Sequence, residues 1–251
     1  MSEQKTVLVT GASGHLGAAI ARACNEDGYT VAVHYRSGAQ AAEALVEEIT
    51  AAGGKARAFG ADLAAGSEPA AELIAAVIEH FGRLDALINN SADQSLASFS
   101  ELDDERWQHM LQASLLSATR VTAAALTVLE PAGAIVNISS VEASAAFPNH
   151  AHYAASKAAL ESFTRSLALE LGPRGMRANA IAPGLIEREG LADDWPQGYT
   201  WWTGSAPIGR PVTAVEVASV AAFLIGPSAA GVNGAVLPVD GGWSASARVP
   251  F

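Results

Sequence analysis

The chain has 251 residues, half of them apolar and 16% charged, enough for one large α/β domain whose sheet is covered on both faces. Its 26 acidic residues outnumber its 15 basic ones, and the net charge of −11 argues against nucleic acid or an anionic membrane as partner. The single cysteine, Cys24, excludes an intrachain disulfide and reads as helix core, no signal peptide is legible, and no apolar run approaches the roughly 18 residues that span a bilayer, so the expectation is a soluble cytoplasmic protein.

The first element, KTVLVTGASGHLG over residues 5–17, is an apolar β-type stretch that breaks into a glycine-rich turn and continues as an alanine-rich helix. Strand, phosphate loop and helix in that order suit a dinucleotide. The glycines let the backbone approach a pyrophosphate, and the helix start offers unpaired N–H groups and a positive dipole end. Gly11, Ser13, Gly14, His15, Leu16 and Gly17 are the candidate contacts, with the His15 imidazole either near the phosphates or turned to solvent. The second strand ends in His34-Tyr35-Arg36-Ser37, with no carboxylate to take a ribose 2′-hydroxyl. Arg36 can pair with a 2′-phosphate and Ser37 can add a hydrogen bond, so NADP(H) is favoured and NAD(H) is the alternative.

Further along, strands are expected near 31–35, 55–59, 85–89, 134–139, 177–181 and 235–239, after the first near 6–10. Helical patterns fall near 15–27, 39–52, 68–81, 103–129, 152–171 and 213–225, the fifth ending at Gly172-Pro173. This alternation predicts an α/β fold with a Rossmann-type, doubly wound parallel sheet of about seven strands and helices on both faces. No repeat or linker marks a second domain, so residues 1–251 are read as one NAD(P)-binding unit.

Tyr153-Ala-Ala-Ser-Lys157 lies on the 152–171 helix, and Ser140 lies thirteen residues before Tyr153, at the end of an apolar strand-like run. Residues four apart share a helix face, so the lysine ammonium is expected beside the phenol, lowering its pKa from about 10 toward the range of an acid–base catalyst. Ser140, arriving from a different segment, can donate to the same substrate oxygen. No metal site is expected.

Together these motifs resemble the short-chain dehydrogenase/reductase family over essentially the whole chain. Further matches are Asp62-Leu63, Asn89-Asn90-Ser91-Ala92, Pro183-Gly184 and Asp240-Gly241-Gly242. The resemblance implies a single-domain nicotinamide-dependent oxidoreductase, a homotetramer or dimer, acting on a small-molecule alcohol or carbonyl. It implies that Ser140 orients the carbonyl, Tyr153 exchanges the proton, and Lys157 also holds the nicotinamide ribose. Asp62 and Leu63 would lie near the adenine, with Asn89, Ser91, Pro183, Gly184 and Ile186 also at the cofactor.

Three departures stand out. Gly11, Gly14 and Gly17 have the spacing of the longer, epimerase-like branch. Ser114 occupies the place, seven residues beyond Trp107, where many members carry a catalytic asparagine, and either preserves the local backbone or weakens the proton relay. Arg188 falls where a threonine would contact the cofactor. The resemblance makes residues 185–206 a substrate lid, and Trp195, Tyr199, Trp201 and Trp202 on it either wall a cavity or pack an interface or the core, with His150 on the opposite wall and His152 turned away. An acyl-carrier-protein substrate is disfavoured, because the chain is acidic and the turn Leu129–Gly133 has no basic residue. The Arg248–Phe251 tail is read as reaching a neighbouring subunit. The expected activity is carbonyl reduction or its reverse, with an epimerase-like enzyme or a catalytically weak dinucleotide sensor as alternatives.

Overall fold

The computed structural model describes residues 4–246, so the Arg248–Phe251 tail lies outside the described residues. The strands β1 (Thr6–Val9), β2 (Thr30–Tyr35), β3 (Ala56–Gly60), β4 (Leu84–Asn89), β5 (Leu129–Ile138), β6 (Arg177–Pro183) and β7 (Val236–Val239) pair in parallel, in the order β3-β2-β1-β4-β5-β6-β7. Side chains alternate across each strand. Val7, Val9, Val31, Val33, Ile88 and Val136 pack on one face against α1 (His15–Glu26), α2 (Ala39–Ala51) and α9 (Ala214–Ile225). Leu8, Ala32, Leu87 and Ile135 pack on the other, against α3 (Ser67–Phe81), α5 (Ser117–Ala125) and α6 (Ala151–Leu171). Both faces are therefore dry, which is why the strands read as continuous apolar runs, and each fully buried Val, Leu or Ile contributes roughly 1.5–3 kcal/mol.

The chain winds from β1 outward to β3, then returns to place β4 on the other side of β1. The loops leaving β1 and β4 diverge, and the crevice between them is where open sheets of this type bind ligands. A buried polar chain holds α6 in register with that crevice. Asn89 Nδ2 donates to Thr122 Oγ1 (3.0 Å) and Asn137 Oδ1 (2.8 Å), Asn137 Nδ2 donates to Thr164 Oγ1 (2.8 Å), and Thr164 Oγ1 donates to the Leu160 carbonyl (2.8 Å).

Three segments differ from expectation. The helix anticipated over 103–129 is α4 (Asp104–Leu111), a π-helical turn over Gln112–Leu116, and α5, which stops at Ala125. The segment read as a turn at 129–133 lies inside β5: Leu129 pairs with Leu84, residues 130–133 bulge out, and pairing resumes between Ala134 and Ala86. The positive φ of 63° at Ala132 accommodates that bulge. The lid region is helical, forming α7 (Leu191–Asp194) and α8 (Pro196–Ser205). Cys24 is fully buried, and burial raises its thiol pKa, which keeps it an unreactive core residue.

Candidate active site

β5 carries the chain into Ser139 and Ser140, and α6 presents Tyr153 and Lys157 one turn apart beneath them. The strand end is fixed by Ser139, whose N–H donates to the Ile181 carbonyl (2.7 Å) and whose hydroxyl donates to Glu161 Oε1 (2.9 Å). Ser140 Oγ accepts from the Glu142 N–H (3.2 Å), which leaves its own O–H free to donate. The Tyr153 phenol meets the Ser140 and Gln94 side chains through hydrogen bonds. Lys157 Nζ donates to the Ile138 carbonyl (2.8 Å) and lies 5.5 Å from the centre of the Tyr153 ring.

Tyr153 and Lys157 are both buried, and this decides their protonation. Desolvation, reinforced by the Glu142 charge, pushes the phenol up to about 12 against the opposing bonds from Ser140 and Gln94. Burial lowers Lys157 to about 8. The expected lowering of the Tyr153 pKa by Lys157 is therefore absent from this arrangement, because the ammonium is turned to the Ile138 carbonyl. A phenol in this state is a proton donor throughout the neutral range.

Ser114 is buried inside the π-helical turn, where its Oγ accepts from the Asp93 N–H (3.1 Å) and faces the Asp93 carbonyl (3.3 Å) and Met110 sulfur (3.3 Å). It does not line the cleft. It pins the loop that carries Gln94 to Tyr153.

A cleft of about 1140 Å³ runs from the glycine loop to the tryptophans. Gly11, Ser13, Gly14, His15, Leu16, Gly17, Arg36, Ser37, Asp62, Leu63, Ser91, Pro183, Gly184 and Ile186 line it, as do Ser140, Tyr153, Lys157, His150, Trp195 and Trp202. Asn89 does not, because it is committed to the buried polar chain, and Asn90 lines the cleft in its place. Gly17 has no room for a side chain, since a Cβ there would lie 2.3 Å from the Gly11 carbonyl. Gly14 caps α1 without a side-chain bond, leaving the first-turn N–H groups open to an anion. These residues fit a dinucleotide pyrophosphate. Arg36 is exposed and makes no ion pair or hydrogen bond within the described residues, so it is free for a phosphate.

His15 is exposed and lines the cleft with the glycine loop, and its Nε2 sits 2.9 Å from the Glu187 carbonyl across the cleft mouth. Arg188 pairs with Asp194 (2.6 Å) on the lid. Of the lid aromatics, Trp195 and Trp202 wall the cleft, whereas Tyr199 turns its hydroxyl to Glu187 (3.4 Å) and Trp201 packs edge-on to Phe147 at 5.7 Å between ring centres. Trp202 is buried and stacks on Trp243 at 5.2 Å, which ties the lid to the C-terminal segment. His152 is buried against Trp107, turned away from the cleft as expected.

Four residues at the site carried no sequence assignment. His34, buried at the end of β2, accepts from the Gly11 N–H through Nδ1 (3.0 Å) and places Nε2 on the Ala61 carbonyl (3.0 Å), so the network sets the Nε2–H tautomer. Trp243 backs the lid. Gln94 and Glu142 reach Tyr153, and their positions just beyond the C-terminal ends of β4 and β5 were the available signal, because such loops open onto the crevice.

A family model described as enoyl-(acyl carrier protein) reductase matches residues 11–244. The chain is 39% identical over 243 residues to an uncharacterized oxidoreductase of Methylorubrum extorquens, covering 96% of this chain and 98% of the relative. Among solved structures it is similar to a short-chain dehydrogenase/reductase from Serratia marcescens (TM-score 0.91, 33% identity, 97% of this chain and 100% of the other). It is also similar to a blue fluorescent protein from a metagenomic library in complex with NADPH (TM-score 0.90, 32% identity, 96% and 98% covered). With the parallel sheet, the glycine loop and the Ser140, Tyr153 and Lys157 cluster, these likenesses place the chain in the short-chain dehydrogenase/reductase family of oxidoreductases that act on CH–OH and carbonyl groups.

Proposed function

We propose that this enzyme interconverts a small-molecule ketone or aldehyde and its alcohol, with NADP(H) as the favoured cofactor. The observation that carries the reading is the convergence of Ser140, Tyr153 and Lys157 in the cleft that the glycine loop also lines. The nicotinamide, when bound, supplies or accepts the hydride. Ser140 turns the O–H that meets the Tyr153 phenol onto the carbonyl oxygen and orients it. Tyr153, protonated at neutral pH, passes its proton to that oxygen as negative charge develops there, and takes it back in the reverse direction. Lys157 would hold the nicotinamide ribose, Asp62 and Leu63 would lie beside the adenine, and Ile186 would meet the carboxamide. Arg36 and Ser37 would take the 2′-phosphate, a preference also supported by the NADPH bound to the fluorescent relative. In this reading Ser114 contributes by holding the Asp93–Gln94 loop, and Trp195 and Trp202 close the substrate end.

A carrier-bound acyl thioester, suggested by the description of the family model, is the second reading. The acidic surface and the absence of a basic residue from positions 129–133 weigh against it. Assembly as a homotetramer or dimer is supported by the exposed Leu169 on α6 and Val215 and Phe223 on α9, and light scattering would read it directly. The test of the activity is absorbance at 340 nm with NADPH and a panel of ketones, aldehydes, quinones and sugars. Tyr153→Phe should lose about 10²–10⁴-fold in kcat while still binding NADPH. Full activity in that variant would overturn the assignment of the proton.

A further inference from the structure

The wall of the cleft beside Tyr153 carries an ion pair that proton transfer to a simple carbonyl does not use. Glu142 follows Ser140 by two residues and lines the cleft with its carboxylate largely buried. Both its oxygens face His150 Nδ1, at 3.0 and 2.9 Å. The other ring nitrogen of His150 faces the Gln94 carbonyl at 3.2 Å. An imidazolium donates to both acceptors at once, and although burial opposes the charge, the bond to Glu142 raises the His150 pKa on balance, which favours the pair Glu⁻ with His⁺. That ring stacks on the Tyr153 phenol at 4.7 Å between centres, with 29° between planes. Glu142 and Tyr153 thus line the same cleft on either side of this stacked ring, and the carboxylate charge adds to the burial that raises the phenol pKa.

A single N–H cannot exhaust a carboxylate that accepts about four hydrogen bonds, so Glu142 keeps lone pairs for the cleft. A buried carboxylate left with unmet acceptor capacity favours a ligand that brings a donor. The pair is neutral as a unit, which favours an uncharged donor over an ammonium, and a substrate carboxylate would be repelled. Trp195 and Trp202 supply an apolar surface for the carbon skeleton.

Resting on the oxidoreductase reading above, we propose that Glu142 is a specificity residue that binds a hydroxyl group on the substrate close to the reacting carbonyl, and that the substrate class is therefore hydroxy ketones and the corresponding diols. His150 fixes the carboxylate in place and is a positioning residue.

The test compares matched pairs that differ by one hydroxyl, 3-hydroxy-2-butanone with 2-butanone and 1-hydroxy-2-butanone with 2-butanone, in the full-length enzyme with NADPH. The readout is the ratio of kcat/KM within each pair, so any general effect on Tyr153 cancels. The wild type should prefer the hydroxylated member by tenfold or more. Glu142→Ala should bring the ratio close to one, chiefly through KM, and the near-isosteric Glu142→Gln should fall between. A wild-type ratio near one, or a ratio unchanged in both variants, overturns the proposal. In parallel, quenching of tryptophan fluorescence gives the Kd of 2,3-butanediol and of 2-butanol on the NADPH-loaded enzyme, a dead-end complex in which neither alcohol can be oxidised. Tighter diol binding that is lost in Glu142→Ala supports the proposal, and equal binding of the two alcohols overturns it. Wild-type failure to turn over any carbonyl while diol preference persists would instead remove the reductase reading and leave the hydroxyl site standing.

Discussion

His34 offers the sharpest test of how the cofactor loop is held. Its buried ring bridges the Gly11 N–H and the Ala61 carbonyl, so it fixes the glycine turn after β1 to the end of β3. Replacing it with alanine leaves a backbone donor and a backbone acceptor unpaired, at about 1–3 kcal/mol each before water or relaxation recovers part of it, so a net loss of about 2–4 kcal/mol is expected. For a chain of this size that is a fall in Tm of about 4–16 °C. The affinity for NADPH should fall at least about tenfold, because Gly11 opens the phosphate loop. Protonation should act in the same sense. Burial holds the imidazole pKa below its usual 6.5, so at lower pH the unfolded chain binds a proton that the folded chain resists. This contribution is constant above about pH 7.5, is lost as pH falls through 6.5, and has a slope of at most about 1.4 kcal/mol per pH unit. Urea unfolding of the wild type and His34→Gln between pH 5 and 8 measures it by difference. If His34→Ala kept the wild-type Tm and NADPH affinity, or if His34→Gln kept the full acid slope, the bridging role would be refuted.

Gly17→Ala forces a methyl carbon to within 2.3 Å of the Gly11 carbonyl and 2.8 Å of Ala12 Cα, both backbone, so α1 must move and the expected cost is about 1–3 kcal/mol with weaker NADPH binding. An unchanged Tm and Kd would show that the loop and helix are not in that contact. Lys157 has its folded pKa lowered to about 8, so wild-type stability rises with pH between about 8 and the unfolded value near 10.5. Lys157→Met should therefore compare more favourably with wild type at pH 7 than at pH 10 in denaturant titrations, while losing turnover; the opposite trend would mean that the ammonium is not desolvated. Arg36→Ala should raise the Kd for NADPH about tenfold or more and leave that for NADH nearly unchanged, and equal effects on both would remove the 2′-phosphate role.

The fold was legible because its signals are local. Runs such as TVLV and ALIN are apolar on both faces and are separated by helical patterns, a combination that only a parallel sheet covered on both sides satisfies. The positions of Ser140, Tyr153 and Lys157 on a strand end and one helix face followed from spacing. The π-helical turn at 112–116 was not legible as an element boundary, because Ser114 reaches across to the Asp93 backbone, 21 residues away. The helical lid was equally hidden. Its order comes from Trp202 stacking on Trp243, 41 residues downstream, and its helical stretches are short and weakly patterned.

Asn89 shows the same limit from the other direction. The family resemblance placed it at the cofactor, yet side chains alternate along a strand, and Asn89 points into the polar chain to Asn137 while Asn90 opens onto the cleft. The protonation of Tyr153 was likewise beyond the sequence, since spacing put an ammonium near the phenol but could not state the desolvation or the direction of Nζ. What the amino-acid order determined alone was the periodicity, the glycine turn and the set of groups available for hydride and proton transfer. What the tertiary structure decided was which of those groups share a desolvated space, because pKa values, the His34 bridge and the Glu142–His150 pair depend on distances between segments far apart in the chain.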